Sequence, residues 1–572
     1  MKRLVFILIL LLVLPSVMAR EGHTKLLAVK EEGDGFEGSV ADLYLEVVPG
    51  EGRVFIETIP LTKLDTQIST RFAAEVACNY LDKDCSRYDF FYTIRADSNI
   101  IGGPSAGAAT ALLTISLLED IPIDENAAVT GTINAGGMIG PVGGVKAKVE
   151  EGIEEGIKTI LVPKGKRFVT KDNLTTDLKD LAARKGVNVV EVSSITDAFY
   201  ELSGVQLKEM DKNITIDPDY ADTMKELAEM LCRRSEDLRE NISEASDEAI
   251  NLTKRAEEAF SKKDYYSAAS YCFGANVRLN SQIIKREEQD NFEEVKKEID
   301  KMYFEMEEVK VSTISDLETY MIVRERLDGA KDSYNRTITL YEEGENYSSQ
   351  FAYTIERIYS AESWSRFFGM EGKSFNFDLE SMEKSCRSKI SEAEERYQFA
   401  KLYFIRGLEK KEELEAAKEE AEKGNYELCL FKASKAKAEV DSIISLIGVK
   451  EDDLKGIVDT KLEIVKRNIA EQQEKGIFPI VGYSYYEYAN NLKEKDTYSA
   501  LVYSEYALEL SNLDMYFKKD KEWRSYFRGS KEISLFLGGL LVGLFIMWVV
   551  RERKVKPNVK RKKSSKRKKS KK

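Results

Sequence analysis

Apolar and polar positions alternate with a period of two along 40–48 and 53–58, the pattern of strands with one face buried. Thr159–Pro163 and 187–192 read as short buried strands. Residues 108–118 form an apolar run of helical length, so strand and helix patterns interleave from about 25 to 205 and predict an α/β region. From about 215 to 530 the chain turns to Glu, Lys, Ala, Leu, Ser and Tyr with almost no proline, which predicts an all-α region. Within it a turn residue, a tyrosine, and then small and apolar residues recur at Tyr266, Tyr347, Tyr426 and Tyr498. Each cluster is expected at the bend of a helical hairpin, giving an array of about four antiparallel units. The alternative, one long coiled coil, fits neither the recurrent turn signals nor the lack of sustained heptads.

Two further apolar runs differ from these. Residues 4–14 follow Lys2 and Arg3 and lead into small residues ending at Ala19, the three-part pattern of a secretory signal over 1–19. Residues 533–550 carry no charge and as a helix would span about 27 Å, enough for a transmembrane helix. The segment 551–572 has 14 Lys and Arg against one acid, Glu552, which places this tail in the cytoplasm and against lipid headgroups. The expectation is a single-pass cell-membrane protein with 20–532 extracytoplasmic.

The net charge is −13, and removing the basic tail leaves a strongly acidic body, so nucleic acid is not an expected partner. There is one histidine, His23, which leaves no room for a multi-histidine metal site; no metal and no cofactor is expected. The six cysteines permit disulfides outside the cytosol, with Cys78 and Cys85 one candidate pair and free buried thiols the alternative.

Gly102-Gly103-Pro104-Ser105-Ala106-Gly107 runs directly into the apolar helix, so Ser105 stands at a helix N-terminus behind a glycine-rich turn. Proline is favourable there because its fixed φ and missing N–H cost nothing, and the glycines allow close backbone approach. Backbone N–H groups at such a terminus can stabilise a developing oxyanion. The segment also reads G-x-S-x-G, but that hydrolase arrangement needs a histidine downstream, and none follows residue 23. Without it the base must be another group, such as a lysine whose amine burial keeps neutral. A second glycine-rich stretch, 130–148, offers Lys146 and Lys148. Two apart on a helix, they point to nearly opposite sides, so only one can reach Ser105. With Val145, Val149, Ile153 and Ile157 as the packed stripe, Lys146 lies nearer that stripe. The residues by themselves leave both lysines open.

From about 38 to 203 the chain resembles the proteolytic domain of the Lon protease family (peptidase family S16). The marks are G-P-S-A-G at 103–107, T-G at 130–131 and P-x-G-G-x-K-x-K at 141–148, continuing through 151–163. The resemblance implies a Lon-type α/β fold and a serine endopeptidase with Ser105 as nucleophile and Lys148 as general base. It makes Thr130 the partner that orients the lysine, with Gly103, Pro104 and Ala106 supporting the turn, and it implies ring assembly, hence a homo-oligomer. Two family acids are absent: Gly102 stands where Asp is common, and Thr132 follows the T-G pair. No Walker A loop is present; 369–374 has the wrong glycine spacing. The expected function is therefore ATP-independent cleavage of unfolded or flexible polypeptides. The alternatives are a surface scaffold with a degenerate Lon-like domain, and a protease that processes only itself.

Overall fold

The computed structural model describes residues 19–517 except 33–34, 60, 63, 97–103, 135–136, 172–173, 209–212, 289, 376, 404–411 and 447–453. Of 518–572 it describes 538–540, 542–544, 546–547 and 551. The signal segment 1–18, Gly102, Gly103, the tail 552–572 and much of 533–550 thus lie outside the described residues. The chain forms two compact units, Met1–Phe517 and Lys518–Lys572.

The α/β part runs β1 (Arg20–Glu32), β2 (Gly35–Pro49), β3 (Val54–Ile59), α1 (Leu64–Tyr80), β4 (Tyr88–Ala96), α2 (Gly107–Glu119), β5 (Ala127–Val129), β6 (Thr132–Ile133), β7 (Ile139–Gly140) and α3 (Val145–Glu154). It continues with β8 (Thr159–Pro163), β9 (Phe168–Lys171), β10 (Leu174–Asp177), α4 (Leu178–Ala183), β11 (Asn188–Val192) and α5 (Ile195–Ser203). Seven strands form one mixed sheet in the order β11-β8-β5-β1-β2-β4-β3. The region begins at Arg20, not near 25, because β1 pairs antiparallel with β2 from Arg20↔Val47 onward. Side chains alternate between the two faces of a strand, and the sheet uses both. Leu26 and Leu161 pack with Phe72, Leu112 and Ile115 of α1 and α2. Their neighbours Leu27, Ile160 and Val162 pack with Val145, Val149, Leu178 and Ala182 of α3 and α4.

Helices follow: α6 (Pro218–Glu240), α7 (Asp247–Ser261), α8 (Tyr265–Glu287), α9 (Phe292–Glu307), α10 (Ile314–Glu342) and α11 (Ser348–Trp364). Then come α12 (Leu379–Tyr403), α13 (Glu412–Lys423), α14 (Tyr426–Ser445), α15 (Leu454–Glu474), α16 (Ile480–Leu492) and α17 (Thr497–Leu510). The four tyrosine clusters do sit at hairpin bends, between α7 and α8, α10 and α11, α13 and α14, and α16 and α17. Lys263, Gly344 and Gly424 take positive φ at three of these bends. Asp264 and Asp496 cap the helices that follow by accepting the N–H of Ser267 and Ser499. The tyrosines share a turn but not an environment, since Tyr266 is buried and Tyr498 is exposed.

All six cysteines are paired, as Cys78–Cys85, Cys232–Cys272 between α6 and α8, and Cys386–Cys429 between α12 and α14. The glycine-rich 369–374 is a loop, and the Gly369 N–H donates to Asp316 Oδ1 at 3.1 Å. Among the described residues no helix is long and apolar enough to cross a membrane. Within the second unit, Leu540, Val542, Leu544, Ile546 and Met547 are exposed.

Candidate active site

Pro104–Ala106 form one tight 3-10 turn that opens directly into α2. Nearly every residue of α2 is buried, so the helix is a fixed post at the centre of the α/β part. Pro104 is buried and its carbonyl accepts from Ser69 Oγ at 3.3 Å, while Ser105 and Ala106 are half-buried. Thr110 Oγ1 donates back to the Ala106 carbonyl at 2.9 Å, stiffening the first turn of the helix. Gly107 is closely packed: a Cβ there would stand 3.0 Å from both Ile133 Cγ2 and Ser69 Oγ, tighter than an ordinary contact.

The stretch that follows β5 clasps this turn. The Gly131 N–H donates to the Ser105 carbonyl at 3.0 Å, and the Gly131 carbonyl accepts from the Ala108 N–H at 3.1 Å. Its neighbour Thr130 is wholly buried and accepts from Lys148 Nζ at 3.0 Å. Lys148 projects from α3, whose start is set by Gly144 at φ 65°. A Cβ on Gly144 would lie 2.8 Å from Val29 Cγ1, so the helix can sit this close to β1 only with glycine there. Serine and lysine are therefore fastened to consecutive residues, one through the backbone of Gly131 and the other through the hydroxyl of Thr130.

Lys148 is buried, and burial alone lowers it from 10.5 to about 7. Removing an ammonium from water disfavours its charged form, and no nearby carboxylate among the described residues offsets this. An amine of this kind holds a free electron pair at neutral pH and can accept a hydroxyl proton.

Lys146 has the opposite surroundings: it is half-buried at the surface, with its amine 3.7 Å from Glu150. The helical-wheel reading that favoured it fails because it draws the stripe through Ile153, which is only half-buried, and misses Gly152, which is buried against Ile160 and Leu27. The buried face of α3 is Val145, Lys148, Val149 and Gly152. Thr132, where the family acid is absent, is buried in β6. Gly103 lies outside the described residues.

Two contributors escape the sequence reading. Ser69 comes from α1, and Arg396 comes from α12, where its Nη2 donates to the Ile133 carbonyl at 2.5 Å and to Asn134 Oδ1 at 2.7 Å. A signal for the second existed in the pattern. Met382, Cys386, Lys389, Ala393, Arg396 and Ala400 follow alternating spacings of four and three, and all are buried. Charges on such a stripe need partners inside the protein.

Residues 95–201 match the Lon protease (S16) C-terminal proteolytic domain. Pro104, Ser105, Ala106, Thr130 and Lys148 fall inside this span. Over 166 residues the chain is 31% identical to an archaeal Lon protease of Archaeoglobus fulgidus, covering 28% of this chain and 25% of that protein. It is 31% identical over 181 residues to a Lon protease of Methanosphaera stadtmanae (31% and 21% of the two chains). It is 40% identical over 85 residues to an archaeal Lon protease of Pyrococcus abyssi (15% and 8%). The chain thus spans a quarter or less of the length of these relatives, and the family match lies within the α/β part.

Proposed function

We propose that this chain is a serine endopeptidase working through a dyad of Ser105 and Lys148. The observation that carries this reading is a buried lysine with no carboxylate, held by Thr130 one residue from the Gly131 that grips the Ser105 backbone. In the first step Lys148 takes the Ser105 hydroxyl proton and the serine oxygen bonds to the scissile carbonyl carbon. The oxyanion is met by backbone N–H groups at the start of α2. The lysine ammonium then gives its proton to the leaving amine as the C–N bond breaks. Water, deprotonated by the same lysine, hydrolyses the acyl-enzyme and restores Ser105. Thr130 keeps the amine aimed.

The substrates of this reading are unfolded or flexible polypeptides, because a half-buried hydroxyl in a tight turn suits an extended chain. Cleavage is ATP-independent, supported by the lack of a Walker A motif in the sequence. Anchoring by 533–550 with the peptidase outside the cytoplasm is supported by the basic run from Arg551, by the exposed apolar residues between 540 and 547, and by three disulfides, which suit an oxidising compartment.

The test is hydrolysis of fluorogenic casein by the purified full-length chain in detergent, with and without ATP. Turnover should need no ATP, and Ser105→Ala and Lys148→Ala should each lower it at least about a thousandfold. Unchanged turnover in both variants would remove the dyad. Failure of a serine-directed probe to label Ser105 would favour a scaffold role for the helical region.

A further inference from the structure

Between the Lon-type domain and the helical region, one buried cation reaches the strand beside the nucleophile turn. Arg396 is 5% exposed, and its fork holds the Ile133 carbonyl and the Asn134 side chain at the end of β6. On its other side, Arg396 Nε lies 3.3 Å from Asp441 Oδ1 on α14. Asp441 is itself fixed, accepting from Lys437 at 3.1 Å, and Lys437 lies 5.5 Å from the Phe72 ring of α1. A planar guanidinium gripped at both ends transmits position far better than a flexible ammonium would.

What it grips is mechanically close to Ser105. The Ile133 side chain and backbone nitrogen lie 3.0 and 3.2 Å from where a Cβ of Gly107 would stand, so β6 presses on the first residue of α2. Two residues back, Gly131 bonds Ser105 and Ala108, and Thr130 bonds Lys148. The hairpin is also held by the pairing of β6 with β7, by a bridge between Met138 and Ser194, by the Asn134 N–H to the Met138 carbonyl (2.9 Å), the Gly137 N–H to the Asn134 carbonyl (3.1 Å) and the Ile139 N–H to the Ser193 carbonyl (3.0 Å), and by Lys461 near Met138 Sδ (3.8 Å); the fork of Arg396 adds the tie to the helical region at Ile133 and Asn134.

We infer that Arg396 is a positioning residue for the peptidase site: by fixing the Ile133 carbonyl from α12, the helical region sets the spacing between the Ser105 turn and the Thr130–Lys148 pair. The helical region is then a built-in part of the catalytic apparatus. This rests on the Ser105–Lys148 reading. Loss of the fork leaves a buried carbonyl unpaired and β6 free to shift, and a misplacement of about 1 Å at a reacting centre can cost about a hundredfold in rate.

The experiment compares wild type, Arg396→Ala and Arg396→Lys as full-length chains in detergent. It reads kcat and KM on an unstructured fluorogenic peptide, the rate of Ser105 labelling, and the thermal transition. Arg396→Ala should lower kcat about a hundredfold with KM within about threefold, and millimolar guanidinium should restore at least a tenth of the lost rate. Arg396→Lys keeps a cation beside Asp441 but cannot fork, so kcat should fall about tenfold with the thermal transition kept. Wild-type kcat in a folded Arg396→Ala chain overturns the inference, as does a loss that guanidinium leaves untouched. If Arg396→Ala does not fold, Arg396→Lys decides: undiminished kcat, or failure to fold with lysine as well, makes the residue merely structural and overturns it. An inactive, unlabelled wild type instead defeats the dyad reading and this inference with it.

Discussion

The α/β region and the helical region both bury lysines, and they treat them in opposite ways. In the helical region Lys389 lies 2.9 Å from both Glu392 and Glu509, and these carboxylates hold it above its ordinary value although burial pulls the other way. Glu509 is correspondingly held down to about 2 by Lys389 and Lys437, against the upward pull of its own burial. Lys461 is also buried and forms an ion pair with Glu505. In the α/β region Lys148 is equally buried but, among the described residues, its amine bonds the Thr130 hydroxyl and no carboxylate, so burial goes unopposed and the amine falls to about 7. A buried ammonium between carboxylates stays charged and cements helices; a buried amine without one becomes a base.

Exchanging the lysines breaks the comparison most sharply. Lys148→Met should abolish peptide hydrolysis, by at least about a thousandfold, yet raise the melting temperature at pH 7 by about a few degrees, since it removes a penalised amine. Lys389→Met should do the reverse, costing about 3–5 kcal/mol in denaturant unfolding because it takes the buried lysine from Glu392 and leaves buried Glu509 with Lys437 alone. The next largest effect comes from giving Lys148 the carboxylate that the helical lysines have. In Thr130→Asp the amine should rise, so hydrolysis at pH 7 should fall more than about tenfold and recover in alkaline buffer, visible in the pH profile of kcat/KM.

A smaller effect concerns stability. Lys148 is lowered from 10.5 to about 7, so between these values the unfolded chain binds a proton that the folded chain does not. Stability should therefore rise with pH across this window by up to about 1.4 kcal/mol per unit, measured as the difference between wild type and Lys148→Met. The smallest expected effect is that of Lys146→Ala, which should leave kcat/KM within about twofold, since Lys146 only pairs with Glu150 at the surface.

How much of this was legible in the chain depends on the range of the interaction. Ser105 at the start of a buried helix follows from local signals: a proline, flanking glycines and an apolar run. The hairpin bends likewise follow from Asp264, Gly344, Gly424 and Asp496, whose conformational preferences act over a few residues. Lys148 was different. Periodicity pointed to Lys146, because a stripe of large apolar residues passes over Gly152, which has no side chain to mark the buried face; the family resemblance pointed to Lys148, which is buried. Cys78–Cys85, seven apart, could be guessed, whereas Cys232–Cys272 and Cys386–Cys429, 40 and 43 apart, depend on which helices pack together. Arg396 and Ile133 meet across more than 260 residues, and no local propensity encodes such a contact.

The central claim is that Lys148 is a neutral amine near pH 7 that takes the Ser105 proton. It is tested most directly by the rate at which a phosphonate probe labels Ser105 across pH 5 to 10. The account predicts a rate that climbs about tenfold per unit in acid and levels off near pH 7, with Lys148→Met slow throughout. A rate that keeps climbing to pH 10, or one that Lys148→Met leaves unchanged, would contradict it.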